Sequence, residues 1–538
     1  MRQFTVSLAG AIAISFTFVV PIAAKAAPAS HAANVQSRGV GKVNFPTSCS
    51  AEAQGSLEKG LALLHSFQYQ ESGQAFSDAA QRDRQCAMAY WGKAMALDHQ
   101  LWDFPNAATL AEGRKDVDQA QKISKQTPRE REYIAAASAF YQDDPKLTHT
   151  ARVQAYSAAM QKLYADNPQD VEAGAFYALS LVALAQDGVD DLANRRKAIA
   201  ILNPLFERQP NNPGLAHYLI HASDVPELAP EGLPAARVYA KIAPDSSHAT
   251  HMPSHIFRRL GLWPEMIDSN IAAMAVAAEA TEQHRGDASY EFHAMDFLDY
   301  AYLQAGEESK ARHLIEEAKS VPGAKPEDIA DHQATFAAVN AIELHRWKEA
   351  ASLAIPKESP TWQDVTYWAR AIGAARSGDV NRAREDAQKL ADIKKAQAAH
   401  QKELGNQVPA KSVEQLEVEG WLASAEGKSE EAVADLRGAA NFEESDREDA
   451  LCVPAREMLA DLLLEMKRPK EALVEYQAVL KDYPNRFDAL YGAARASEAS
   501  ANPQQARDYY TQLVKISLPG ADRPELHAAR DFVAAKGN

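Results

Sequence analysis

The stretch "AREMLADLLLEMKRPKEALVEYQAVLKDYPN", residues 455–485, is followed by "DALYGAARASEASANPQQARDYYTQLVKI", residues 488–516. Ala460 and Ala494 are 34 residues apart, and the same interval separates Ala472 from Ala506 and Tyr476 from Tyr510. Within each copy the apolar residues recur with helical spacing, broken once by a short turn before Pro469 and Pro503. Each copy therefore predicts two antiparallel helices. The alanines let their backbones approach, and the tyrosine fills the gap to the next copy. A helix hairpin with one apolar stripe cannot bury it alone, so neighbouring copies must stack.

Weaker copies run upstream: "SFQYQESGQAFSDAA" (66–80), "RLGLWPEMIDSNIAA" (259–273), "YLQAGEESKARHLIEEA" (302–318), "LHRWKEAASLA" (344–354), "RSGDVNRAREDAQKLA" (376–391) and "SAEGKSEEAVADLRGAA" (424–440). The pattern resembles the tetratricopeptide repeat family over most of residues 50–520. The resemblance implies an all-α superhelical solenoid of about twelve helix pairs, with the first helix of each pair lining the concave wall. It implies little about activity, because such arrays carry many functions. "CAMAYWGKAMALDHQLW" (86–102) and "HATHMPSHIFRRLG" (248–261) also resemble a subgroup of exported bacterial proteins of this family. No strand-like alternation suggests a sheet.

The domain reading follows from where the periodicity starts and stops. Residues 1–26, "MRQFTVSLAGAIAISFTFVVPIAAKA", have a basic start, an apolar run and an Ala24-Lys25-Ala26 cleavage signal, which reads as a secretory signal peptide; an uncleaved anchor is the alternative. Residues 27–48 are aperiodic and read as a flexible strap. An N-terminal solenoid is expected over 49–393, a connecting segment over 394–415, and a C-terminal solenoid with a polar capping helix over 416–538. The expected location is secreted, in a bacterial periplasm, with no membrane insertion after cleavage. Removing residues 1–26 takes away Arg2 and Lys25 and no acid, so the net charge moves from −16 to −18. That charge repels nucleic acid and anionic lipid, which are excluded as partners. In an oxidising compartment Cys49 and Cys86 are candidates for a disulfide, with three free thiols, Cys452 included, as the alternative.

The candidate site lies where histidine is concentrated. "HYLIH" holds His217 and His221, and "HATHMPSHIF" holds His248, His251 and His255. His217 and His251 are 34 apart, as are His221 and His255, so the two pairs occupy equivalent places in consecutive repeats. Spacings of three and four place His248, His251 and His255 on one helical face. Pro253 disturbs this: either a helix begins there or one is kinked there. Aligning Gly306 on Gly261 matches His293 with His248, Asp296 with His251 and Tyr300 with His255; Glu172 falls 45 residues before His217. The inner wall then reads Glu172, His217, His251, Asp296.

Three readings of this cluster stay open. The first is a transition-metal site, zinc or copper, with His217, His221, His251 and His255 as four ligands, and His248 and His293 as further candidates. Asp296, Glu172 or Asp224 would be extra ligands or would orient a ring. The second is a metal-free face for a protein or peptide in the concave groove, where Arg258, Arg259, Arg237 and Lys241 grip an anionic group. The third is structural. The leading expectation is an exported binding scaffold with a histidine-rich ligand patch, and the alternative is a metal-binding protein or metal-dependent hydrolase. "HYLIH" lacks the glutamate of H-E-x-x-H, and the chain has no G-x-S-x-G, Walker, G-x-G-x-x-G or C-x-x-C motif. If the site is catalytic, Glu172 is the candidate base.

Overall fold

A computed structural model describes residues 39–102, 104–357, 363–403, 409–446 and 453–535. Among these residues there are twenty-six α-helices, one 3-10 turn and no strand. The expected signal peptide of 1–26 and Cys452 lie outside the described residues. Among the described residues no helix is long and apolar enough to cross a membrane.

The two repeats that define the period fold as hairpins. Ala455–Glu465 pairs with Pro469–Asp482, and Phe487–Ala499 with Pro503–Ile516. Proline opens both second helices, where its missing N–H is no loss. Ala460, Ala472, Ala494 and Ala506 are fully buried. The Tyr476 ring lies against Gly492, where an added Cβ would come within 2.2 Å of it. Its hydroxyl donates to Asp461. Glycine is thus required at 492 by close approach of the next hairpin. The final helix, Glu525–Ala534, buries Leu526 and Ala529 and caps the array.

The repeats beyond residue 453 pack back on the turns of residues 260–306. Trp263 Nε1 donates to the Asn485 carbonyl at 3.0 Å, and Asn485 Nδ2 donates to the Gly261 carbonyl at 3.1 Å. The Leu518 amide donates to the Ala305 carbonyl, and the Asp522 amide to the Gly306 carbonyl. A fully buried Arg486 ties these layers together, 2.6 Å from Glu343 and 2.7 Å from Glu457. Burial pushes the Glu457 carboxyl up to about 8 against the pull of Arg486. Glu343 is held below its usual range, because Arg486 and Gln304 outweigh its burial. Both Glu457 oxygens accept from Arg486, and Glu343 accepts from the same guanidinium, so one buried cation holds two acidic side chains.

Two expectations about segments change. Residues 39–48 are docked: the Gly39 amide donates to Asp245 at 2.8 Å, the Lys42 amide donates to the Asn211 carbonyl, and Phe45 is fully buried, edge-on to Tyr133. One anchoring aromatic outweighs the aperiodic composition that suggested a strap. Cys49 and Cys86 are joined by a disulfide, with Cα atoms 4.6 Å apart. In the expected connecting segment, the helix Val380–Glu403 runs through residues 394–403, and Ser412 with Gln415 forms a capping box for Val413–Ala425. One apolar cluster continues across this stretch, from Ala338 through Leu390 and Val418 to Ala496.

Candidate metal centre

Three helical stretches carry the histidines. Asn212 caps Pro213–Ser223 by accepting from the Gly214 and Leu215 amides, and every residue of that helix is buried. It presents His217 and His221 one turn apart. Ser246 caps the short Ser247–His251, and Pro253 opens Pro253–Leu260. Met252 between them is itself helical, φ −52° and ψ −33°, so the path continues past the proline. His248, His251 and His255 follow one another along it. Ala288–Gln304 supplies His293.

The six imidazoles form two groups of three. In the first, His217, His221 and His248, and in the second, His251, His255 and His293, one ring nitrogen from each residue lies within 4.8 Å of the others in its group. In the first group His217 Nε2 is 2.9 Å from His248 Nε2 and 3.0 Å from His221 Nε2. In the second, His251 Nε2 is 3.1 Å from His255 Nε2.

The opposite ring nitrogens fix the tautomers. His217 Nδ1 is 2.6 Å from the His65 carbonyl oxygen, which can only accept, so Nδ1 carries the proton. His251 Nδ1 donates to Asn270 Oδ1 at 2.8 Å; the Asn270 amide nitrogen is itself committed to the Met266 carbonyl. His255 Nδ1 donates to Asp224 at 2.9 Å, and Arg259 holds the other Asp224 oxygen at 2.9 Å. Burial alone would raise the Asp224 carboxyl, but Arg259 and His255 hold it well below the usual range. In His217 and His251 this leaves Nε2, with its lone pair, turned to the centre of the group.

Burial pushes His217, His221, His248 and His251 well below the usual imidazole pKa, helped by neighbouring histidines, and so keeps these four rings neutral. A cation with metal–nitrogen bonds of about 2.0–2.1 Å would suit this spacing, since its tetrahedral nitrogens stand roughly 3.3 Å apart. Three such ligands leave a fourth position open.

Each group is covered by one phenylalanine. The Phe67 ring is 4.4, 5.7 and 5.5 Å from the rings of His217, His221 and His248. Phe297 is 4.6, 4.7 and 5.2 Å from those of His251, His255 and His293. Trp102, 42 % exposed, lies 5.8 Å from both His221 and His248.

The structure groups the sequence candidates differently from their spacing. His217, His221, His251 and His255 do not make one four-ligand set; each i, i+4 pair is completed by a histidine one helical stretch further on, His248 or His293. Glu172 does not face the groups. It is 1 % exposed and bonded to His65 Nε2 at 2.6 Å and to Asn212 at 2.7 Å, which leaves it no freedom to act as a base. Asp296 pairs with His332 at 3.4 Å. Arg258 is buried, its guanidinium 5.8 Å from the Tyr300 ring, so it does not line an open groove; Arg237 is 3.7 Å from Glu265. His217, His251 and His221 are 0, 3 and 7 % exposed, so a peptide lying in a groove would not reach them. His65, Asn270, Phe67 and Trp102 were not anticipated. Phe297, four residues after His293, sits at a spacing that could have been read.

No protein-family model matches the chain, and none of the curated proteins does. Solved structures similar to it include a tetratricopeptide repeat protein from Parabacteroides merdae, 13% identical, covering 50% of this chain and 97% of its own, with a TM-score of 0.31. The human IFIT1 dimer with m7Gppp-AAAA is 15% identical over 88% of this chain and 91% of its own, TM-score 0.34. Naa15/Naa10 bound to HypK-THB is 13% identical over 90% and 73%, TM-score 0.22. Likeness of this order is one of helical construction alone. Its own helices and the 34-residue interval make the described part of the chain an all-α array of stacked helix hairpins.

Proposed function

We propose that this is an exported helical-repeat protein that binds transition-metal ions, zinc or copper, at two three-histidine centres. One observation carries the reading: in each group one ring nitrogen from each of three histidines lies within 4.8 Å of the others, while Nδ1 atoms are tied to the His65 carbonyl, Asn270 and Asp224. Acceptors behind ligating imidazoles orient the rings and raise their basicity. Export is supported by the residues of 1–26 and by the Cys49–Cys86 disulfide, which belongs to an oxidising compartment. The remaining hairpins act as the scaffold that holds the centres. A protein or peptide partner is a second reading, favoured by the exposed Trp102 and Phe104 on the loop beside the first centre. A hydrolase is not favoured, because Glu172 is spent on His65 and Asn212.

Metal analysis of the purified mature protein tests the reading. Near two ions per chain are expected, one for each histidine group. A His217→Ala/His251→Ala variant that remains helical should retain almost none. Wild-type protein that holds no metal after incubation with Zn²⁺ or copper and desalting would leave only the scaffold.

A further inference from the structure

The two centres are built on one plan. His251 and His255 follow His217 and His221 by 34 residues, His293 follows His248 by 45, and Phe297 covers the second group as Phe67 covers the first. What does not repeat is the charge behind the imidazoles.

Behind the first centre the acceptor at His217 Nδ1 is a neutral backbone carbonyl, that of His65. Arg195 Nη1 donates to the His221 carbonyl at 2.8 Å and is itself paired with Asp191 at 2.6 Å. Phe67 and Trp102 wall the group with apolar surface. Behind the second centre stands a carboxylate. Asp224 accepts from His255 Nδ1, and Arg259 keeps it ionised. His293 is exposed to solvent and feels Asp296 as well.

The cost of burying an ion rises with the square of its charge. A neutral three-nitrogen site walled by apolar rings penalises a divalent ion far more than a monovalent one. Monovalent copper needs no anion and is content with three neutral nitrogens. A site with a carboxylate one hydrogen bond away and an edge open to water offers a divalent ion both a counter-charge and a solvent ligand. We infer, building on the metal-binding reading above, that the first centre selects Cu(I) and the second a divalent ion, with Asp224 as the positioning residue that makes the difference.

The experiment titrates the mature protein without oxygen, using Cu(I) against a coloured Cu(I) chelator and, separately, Zn²⁺ against a coloured zinc chelator. His248→Ala and His293→Ala each remove the third ligand of one centre, and both positions are less deeply buried than His217 and His251. His248→Ala should weaken Cu(I) binding about 100-fold and leave Zn²⁺ within roughly threefold, and His293→Ala should do the reverse. Asp224→Asn should weaken Zn²⁺ about 10- to 100-fold with Cu(I) unchanged. Circular dichroism melts control for folding, and His221→Gln replaces His248→Ala if that variant melts early. Equal losses of both ions in each variant, or a single centre that binds both ions more tightly, would overturn the assignment while leaving metal binding intact. A wild-type chain that binds neither ion overturns the underlying reading too.

Discussion

At residue scale the most informative side chain is Phe67. Its backbone φ is +55°, a left-handed conformation at the turn that ends the helix Ala51–His65. Gly261, Gly306 and Gly427 occupy the matching turns of other hairpins, with φ of +63°, +79° and +79°. A bulky residue there costs about 1–2 kcal/mol relative to glycine. The strain is offset by what the ring does, since it is buried against three imidazoles and Trp102. Phe67→Gly should therefore release strain and still destabilise the fold by about 2 kcal/mol, because roughly 3 kcal/mol of aromatic burial is lost. The sharper readout is kinetic. Removal of metal from the first centre by a chelator should accelerate at least about tenfold, with the second centre unchanged. Unchanged exchange at the first centre would mean that the ring is packing and not a cover.

At the scale of elements, the hairpins were legible because alanine and tyrosine recur at 34 residues and glycine marks close approaches, each with a packing reason. Gly492 meets Tyr476, and Gly261 lies against the Pro484 carbonyl, where a Cβ would come within 2.1 Å. The pairing of His217 with His221, and of His251 with His255, was legible for the same reason. The grouping was not. Equivalent positions in adjacent repeats suggest that the two pairs meet each other, whereas side chains on a helix lean toward its N-terminus. His248, three residues before His251, instead completes the group of the preceding repeat, and His293 does the same for His251 and His255. In the structure His293 stands to His251 and His255 as His248 stands to His217 and His221, whereas Asp296 and Glu172 of the expected inner wall are paired elsewhere. Pro253 interrupts the run without redirecting it, since Met252 keeps helical dihedrals. His65 and Asn270 could not be found from spacing. His65 comes from a distant hairpin and acts through its backbone carbonyl, which leaves no trace in residue type, and Asn270 lies on the following helix, Trp263–Glu282.

For the molecule as a whole, stacking sets the electrostatics of the centres. The first centre is enclosed by hairpins from residues 51–102 and 213–260, and burial there holds His217, His221 and His248 well below the usual imidazole pKa. Protons compete with metal only where the folded-state imidazoles titrate, and that range has moved downward in pH. Three imidazoles of ordinary pKa would lose about 50-fold in metal affinity between pH 7.5 and 6.0. The first centre should lose less than about threefold over the same interval, as read by chelator competition. A loss near the ordinary value would place the rings in solvent in the working protein.

The central claim is that two triplets of neutral imidazoles each grip one ion. X-ray absorption at the metal edge of the loaded mature protein measures this directly. The account predicts an average of three imidazole nitrogens at about 2.0–2.1 Å around each ion. An ion surrounded mainly by oxygen, or by one imidazole and water, would contradict it.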